Sequence, residues 1–421
     1  MTSKDAAVHA QIMQKNLSQH RARYLKYFQA SDYEAALAEV RQARQLSGDI
    51  EIVHAEVLCL TRLNQIEEAL AALTRVPPSQ RTVDLYDRMA DLHNKLGNTK
   101  EGQRYGALSL KLKDQQNAIK PAWPLPSVTP PAFTPDPSVN IVAYSLYGSN
   151  PRYCEGAVLN CHAVARLLPG WSCRFYHDQS VPDDVLLRLR RAGAQLLLVN
   201  DGVKKQIPPL MWRNLVVDSP EVHRFLLRDA DAVVSEREKI CVDAWLRSPF
   251  WFHLIRDWGT HSELMLAGLW GGCSGVIPDM RQEIIRYMSP GNRSPSHHDQ
   301  HFLRECLWPT VRQSVLSHDS QFDFFNNTPM EPLPPVNDVN SDEGERHIGS
   351  NLSNTKVAIS APYPDGALVR WTLYDHADNP VCSYEMPVQQ RACHTALPVS
   401  YWQKINRGLW KIRTAKAEPT V

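Results

Sequence analysis

Two aspartates one residue apart, Asp229 and Asp231, follow a short apolar run, Phe225-Leu226-Leu227. Read as a strand, that run buries its apolar side chains and delivers both acids to one edge of a sheet, because residues i and i+2 project to the same side. Like charges held together repel unless a cation sits between them, and oxygen donors suit a hard divalent ion such as Mg²⁺ or Mn²⁺. The chemistry this spacing offers is that of a metal–diphosphate site. A solvated turn is the plain alternative, since Asp is common where strands end.

Other residues in the same half of the chain could join such a site. Arg256, Asp257 and His261 are candidate sugar contacts, with Trp258 and Trp270 as aromatic platforms; a salt bridge is the competing account of Arg256 and Asp257. Asp299 and Gln300 stand in a histidine-rich stretch with His297, His298 and His301, where Asp299 also suits a helix N-cap and the histidines suit loop and cap positions. Gly148, after Tyr147, would let the backbone approach a ligand closely.

Strands and helices alternate around these residues. Ile141–Leu146, Cys173–Tyr176, Gln195–Val199 and the run before Asp229 read as strands, separated by helices over 155–168, 183–192 and near 211–218. That alternation predicts an α/β domain with a mostly parallel sheet and helices on both faces, and ligands in such sheets gather at the carboxyl ends of the strands.

Residues 8 to about 118 read instead as helix throughout. Ala36 to Ala69 and Ala69 to Gly102 are each 33 positions, with related phrases around them, and this period with a small residue at the helix contact resembles the tetratricopeptide repeat. Residues 119–139 hold seven prolines and predict an extended linker. The expected domains are therefore 1–118, a helical solenoid; 119–139, the linker; 140–330, the sheet domain; and 331–421, a small β-rich appendage announced by Leu368–Tyr374 and Leu409–Arg413.

Charge is nearly balanced, 46 Lys+Arg against 45 Asp+Glu, which argues against a nucleic-acid or anionic-membrane partner. No apolar run approaches the ~20 residues of a membrane span, and the N-terminus lacks the apolar core of a signal peptide. Nine scattered cysteines without a C-x-x-C pair suit reduced thiols and a cytoplasmic location.

The order of motifs from 141 to 320 resembles nucleotide-sugar-dependent glycosyltransferases of the A fold, most closely family 8 and bacterial proteins that join tetratricopeptide repeats to such a domain. The resemblance implies that Tyr144, Ser145, Tyr147 and Gly148 hold the nucleotide and that Arg213, in Met211-Trp212-Arg213, contacts the donor. It implies that Asp229 and Asp231 bind metal and diphosphate, that Gly268 lies in a donor or acceptor segment over 266–272, and that Asp299-Gln300 opens a helix beside the reacting sugar. His318 would be the third metal ligand, a nitrogen favouring Mn²⁺ over Mg²⁺, although the family's glycine-lysine-proline-tryptophan continuation is missing after it. The implied activity is metal-dependent sugar transfer from a nucleotide-diphosphate donor to a glycan or protein acceptor. It leans toward retention, with Gln300 or Asp299 stabilising the cationic sugar; inversion would require Asp299 or Asp257 as general base. The repeats would recruit a protein partner or self-associate. Two other readings remain: a scaffold whose sheet domain has lost catalysis, and a nucleotidyltransferase, for which the residues after the first strand lack a Gly-rich phosphate loop.

Overall fold

The computed structural model describes residues 3–289, 298–325, 327–328, 347–351 and 354–417. They form two compact units: 1–115 with 259–262 and 321–324, and a larger one made of 116–258, 263–320 and 325–421. His297 and most of the Pro- and Asp-rich stretch 330–349 lie outside the described residues.

The first unit is built of α1 (Ser3–Gln29), α2 (Tyr33–Leu46), α3 (Ile50–Arg62), α4 (Ile66–Thr74), α5 (Val83–Lys95) and α6 (Thr99–Asn117). Its turns repeat. Ser31, Asn64 and Gly97, each 33 residues from the next, all take left-handed φ values of 58–73°. In each turn the following residue donates its backbone N–H to the carbonyl five positions back in Schellman fashion: Asp32 to Tyr27, Gln65 to Leu60 and Asn98 to His93. Ala36 and Ala69 are fully buried, and a Cβ on Gly102 would strike Asn94, so the small residues sit where two helices meet. Asp87 gathers Ser109, Lys113 and Ser262, while Asn94 donates to the Gly259 carbonyl at 3.0 Å.

The second unit is mixed α/β. Its main sheet comprises β1 (Asn140–Leu146), β2 (Ser172–His177), β3 (Gln195–Leu198), β4 (Arg224–Leu227), β5 (Phe252–Arg256), β6 (Trp270–Cys273), β7 (Val315–Asp319) and β8 (Asn327–Thr328). The order is β3-β2-β1-β4-β6-β5-β7-β8, with β6 alone antiparallel to its neighbours. β1 and β4 lie side by side at the centre and are buried along nearly their whole length, as near-continuous apolar runs require. β6 overlaps the end of the segment 266–272; a Cβ on Gly271 would meet the Phe225 carbonyl, so close backbone pairing with β4 fixes glycine there. The connecting helices are α7 (Pro151–Leu167), α8 (Asp183–Arg191), α9 (Asp201–Lys204), α10 (Glu236–Leu246), α11 (Met280–Met288), α12 (His298–Phe302) and α13 (Trp308–Val311); residues 209–218 form a run of 3₁₀ turns rather than an α-helix.

The Pro-rich stretch contains neither helix nor strand, but it is not a free tether. Trp123 N–H donates to Thr310 at 2.8 Å, the Pro131 carbonyl accepts from Arg224 at 2.6 Å, and Phe133 stacks on Trp171. C-terminal strands β9 (Asn354–Ser360), β10 (Leu368–Tyr374), β11 (Pro380–Pro387), β12 (Ala392–Pro398) and β13 (Lys411–Lys416), with α14 (Val399–Asn406), make sheets ordered β11-β10-β13 and β12-β9. They belong to the same unit: Glu155 of α7 is fully buried and accepts from Arg188 through both oxygens, from the Tyr384 hydroxyl and from the Tyr401 hydroxyl.

Candidate functional site

In the main sheet the chain runs outward from β1 through β2 to β3, then returns to the other side of β1 as β4. Crevices form at the carboxyl ends of strands where such a reversal occurs. The loop after β1, Tyr147-Gly148, and the acidic turn after β4, Asp229-Ala230-Asp231, leave that edge together.

Asp229 is the more open of the two acids, with its side chain 47% exposed. It is paired with Arg213, whose Nη1 also donates to the Arg228 carbonyl and whose Nη2 lies 3.4 Å from Asp299. Burial would weaken the Arg213 charge, and the carboxylates of Asp229 and Asp299 more than restore it, so its pKa lies above the ordinary value. Its backbone N–H donates to Ser145 Oγ at 3.0 Å, which ties the 3₁₀ run to β1. A Cβ on Gly268 would lie 2.1 Å from Asp229 Oδ2; this glycine leaves room for the acid rather than for a ligand.

Asp231 is largely buried and accepts from Arg152 Nε at 2.7 Å and Nη2 at 2.5 Å. Burial and the neighbouring Asp229 charge raise its pKa, against the pull of Arg152. The turn is carried by α7. Arg152, Gly156 and Asn160 recur every fourth residue and so share one face. A Cβ on Gly156 would strike the Ala230 carbonyl, and Asn160 donates to the carbonyls of Ala230 and Ala232 while accepting from the Val234 N–H. Sequence reasoning passed over all three; a small-and-polar stripe on an otherwise apolar helix was the signal. Tyr147, 38% exposed, stands edge-on to Trp212. Burial and the nearby Tyr153 raise its pKa. Gly148 takes φ +73° and donates to Ser180.

The two acids suit a hard divalent cation that takes its remaining ligands from phosphate and water. His318 does not complete the set. It lies on β7, 2% exposed, with Nδ1 2.9 Å from His253 Nε2, and burial lowers its pKa to about 4. Among the described residues no three His, Cys, Asp or Glu side chains are gathered to hold a metal.

Other expectations are corrected by burial. Tyr144 is fully buried and stacked on Phe175 at 4.8 Å, so it packs the core and touches no ligand. Trp270 is likewise fully buried against Phe225 and offers no platform. Arg213, 4% exposed, holds Asp229 and Asp299 in place instead of presenting its charge. Asp257 accepts two hydrogen bonds from Arg237, one from Ser320 and one from the Ile348 N–H. Burial would raise its pKa, yet these donors hold it below the ordinary value, which suits a strut and not a base. Arg256 is spent on the carbonyls of Glu263 and Leu264 and on Ser317. Trp258 stays half-exposed, stacked on His347. His261 belongs to the first unit. Gln300 lies in α12 beside Asp299, its N–H donating to Asp299 Oδ1 at 2.9 Å.

No family model matches the chain, and no curated protein does. Glycosyltransferases are among the solved structures with partial likeness. A Thermobaculum terrenum O-GlcNAc transferase mutant matches at 15% identity over 47% of this chain and 42% of its own, TM-score 0.22. A Pyrobaculum calidifontis mannosyltransferase in complex with GDP-Man and Mn²⁺ matches at 13% over 56% and 67%, TM-score 0.30. Mycobacterium tuberculosis glucosyl-3-phosphoglycerate synthase in complex with Mg²⁺ and UDP matches at 12% over 48% and 79%, TM-score 0.28. The chain spans under half the length of the first. At these TM-scores the overlaps are local, and the chemistry is read from the residues themselves.

Proposed function

We propose that the chain is a glycosyltransferase that moves a sugar from a nucleotide-diphosphate donor to a glycan or protein acceptor. One observation carries the reading: Asp229, Asp231 and Asp299 converge with Arg152 and Arg213 at the reversal point of the sheet, beside a half-exposed tyrosine and a left-handed glycine. A Mn²⁺ or Mg²⁺ ion held by Asp229 and Asp231 would neutralise charge on the departing diphosphate as a Lewis acid. Tyr147 offers a ring for the base, and Gly148 lets the backbone approach it. Arg213 fixes Asp229 and Asp299 relative to each other. With Asp257 committed to its own partners, Asp299 is the one remaining carboxylate of the two general-base candidates, and it lies against Arg213. That favours retention, with Asp299 and Gln300 stabilising positive charge on the sugar.

The helical unit is read as a recruitment or self-association module and the C-terminal strands as part of the catalytic unit. Nine free cysteines suit a cytoplasmic location. The scaffold reading keeps one supporting observation, since both acids already carry arginine partners. Nucleotide-sugar hydrolysis with and without Mn²⁺, on native and Asp231→Ala protein, separates the two. Metal-dependent turnover lost in the variant supports the enzyme, and no turnover of any donor supports the scaffold.

A further inference from the structure

The two arginines at the acidic pair are not equivalent. Arg213 is 4% exposed and bonded on three sides, to Arg228, Asp229 and Asp299. Arg152 is 31% exposed, sits in the first turn of α7 just after its Asn150 cap, and has one carboxylate partner among the described residues. Among the described residues, three carboxylates and two guanidinium groups meet here, one net negative charge. A divalent cation arriving alone would meet Arg152 at Asp231, and two cations on one carboxylate repel. A diphosphate arriving alone, with about two negative charges, would face the three acids. Arriving together they leave the net charge unchanged. The diphosphate would also give Arg152, whose planar fork suits phosphate oxygens, an anion to replace the one it gives up.

Resting on the donor reading above, we infer that Arg152 is an exchangeable latch on Asp231: it turns from the carboxylate to the donor's diphosphate as the cation takes the acid, so that cation and nucleotide bind cooperatively. Asp231 is held in place through the swap by the Asn160 and Gly156 contacts to its turn, which do not involve Arg152.

The test is Mn²⁺ binding to the full chain, read from the electron paramagnetic resonance signal of free Mn²⁺, with and without GDP or UDP. For the native protein nucleotide tightens Mn²⁺ binding about ten-fold or more, within the usual span of such coupling. Arg152→Gln binds Mn²⁺ alone about five-fold tighter or better, binds nucleotide more weakly, and loses most of the coupling. Arg152→Lys, which keeps charge without the fork, falls between and carries the comparison should the Gln variant not fold. Mn²⁺ affinity unchanged or weakened in Arg152→Gln, with native melting temperature, would overturn the latch and leave Arg152 a structural ion pair. Absence of Mn²⁺ binding in native and variant proteins alike, with either nucleotide, would instead remove the donor reading beneath it.

Discussion

Helix α7 carries two arginine–carboxylate arrangements within its first two turns, and they differ in everything but residue type. Glu155 is fully enclosed, with two bonds from Arg188 and hydroxyls from Tyr384 and Tyr401. Asp231 keeps part of its surface, and its arginine is a third exposed. Saturated and buried, Glu155 joins α7 to α8 and the C-terminal strands; Asp231 is paired with an arginine that solvent reaches. Asp257 sides with Glu155, although it follows a strand end just as Asp229 does. Saturation by donors, more than charge, separates a strut from a site.

The contrast can be broken experimentally. Removing one member of a buried ion pair costs about 3–5 kcal/mol, so Glu155→Ala should lower unfolding free energy by that much in urea denaturation. An Asp231→Asn change should stay within about 1 kcal/mol of native stability, because burial and the neighbouring Asp229 already disfavour its charge and offset the pull of Arg152. The His253–His318 pair supplies a pH test. Both are held neutral, His318 with a pKa of about 4, so the unfolded chain binds more protons as pH falls below the ordinary histidine value near 6.5. Stability from this source is complete above about pH 6.5 and declines toward pH 4, by about 3 kcal/mol for His318. Thermal melting across that range should show the slope, and His318→Asn should flatten it. For Asp257→Asn, a loss of about 2 kcal/mol is expected, with no change in KM for donor among the molecules that remain folded. Gly268→Ala should act on turnover and not on stability. A methyl 2.1 Å from Asp229 Oδ2 must displace that acid, costing about ten-fold in kcat/KM while leaving the melting temperature near native.

Much of the framework was legible because it is local. Apolar runs gave β1 through β4, and the 33-residue spacing of Ala36, Ala69 and Gly102 anticipated turns that recur at Ser31, Asn64 and Gly97. Partners distant in sequence were not legible. Arg152 and Asp231 are 79 residues apart, and Asp257 is saturated from positions 237, 320 and 348. Nothing local distinguishes an acid so enclosed from one left open. Tyr144 and Trp270 failed as ligand contacts for the complementary reason: a central strand buries both of its faces, whatever chemistry the side chain offers.

The central claim is that Asp229 and Asp231 hold a cation against a nucleotide diphosphate. Calorimetric titration of GDP and of UDP, each with Mn²⁺, into native protein and an Asp229→Asn/Asp231→Asn double variant tests it most directly. The account predicts saturable binding of at least one nucleotide to the native protein, weakened about 100-fold or more in the double variant. Equal affinity in both proteins would contradict it.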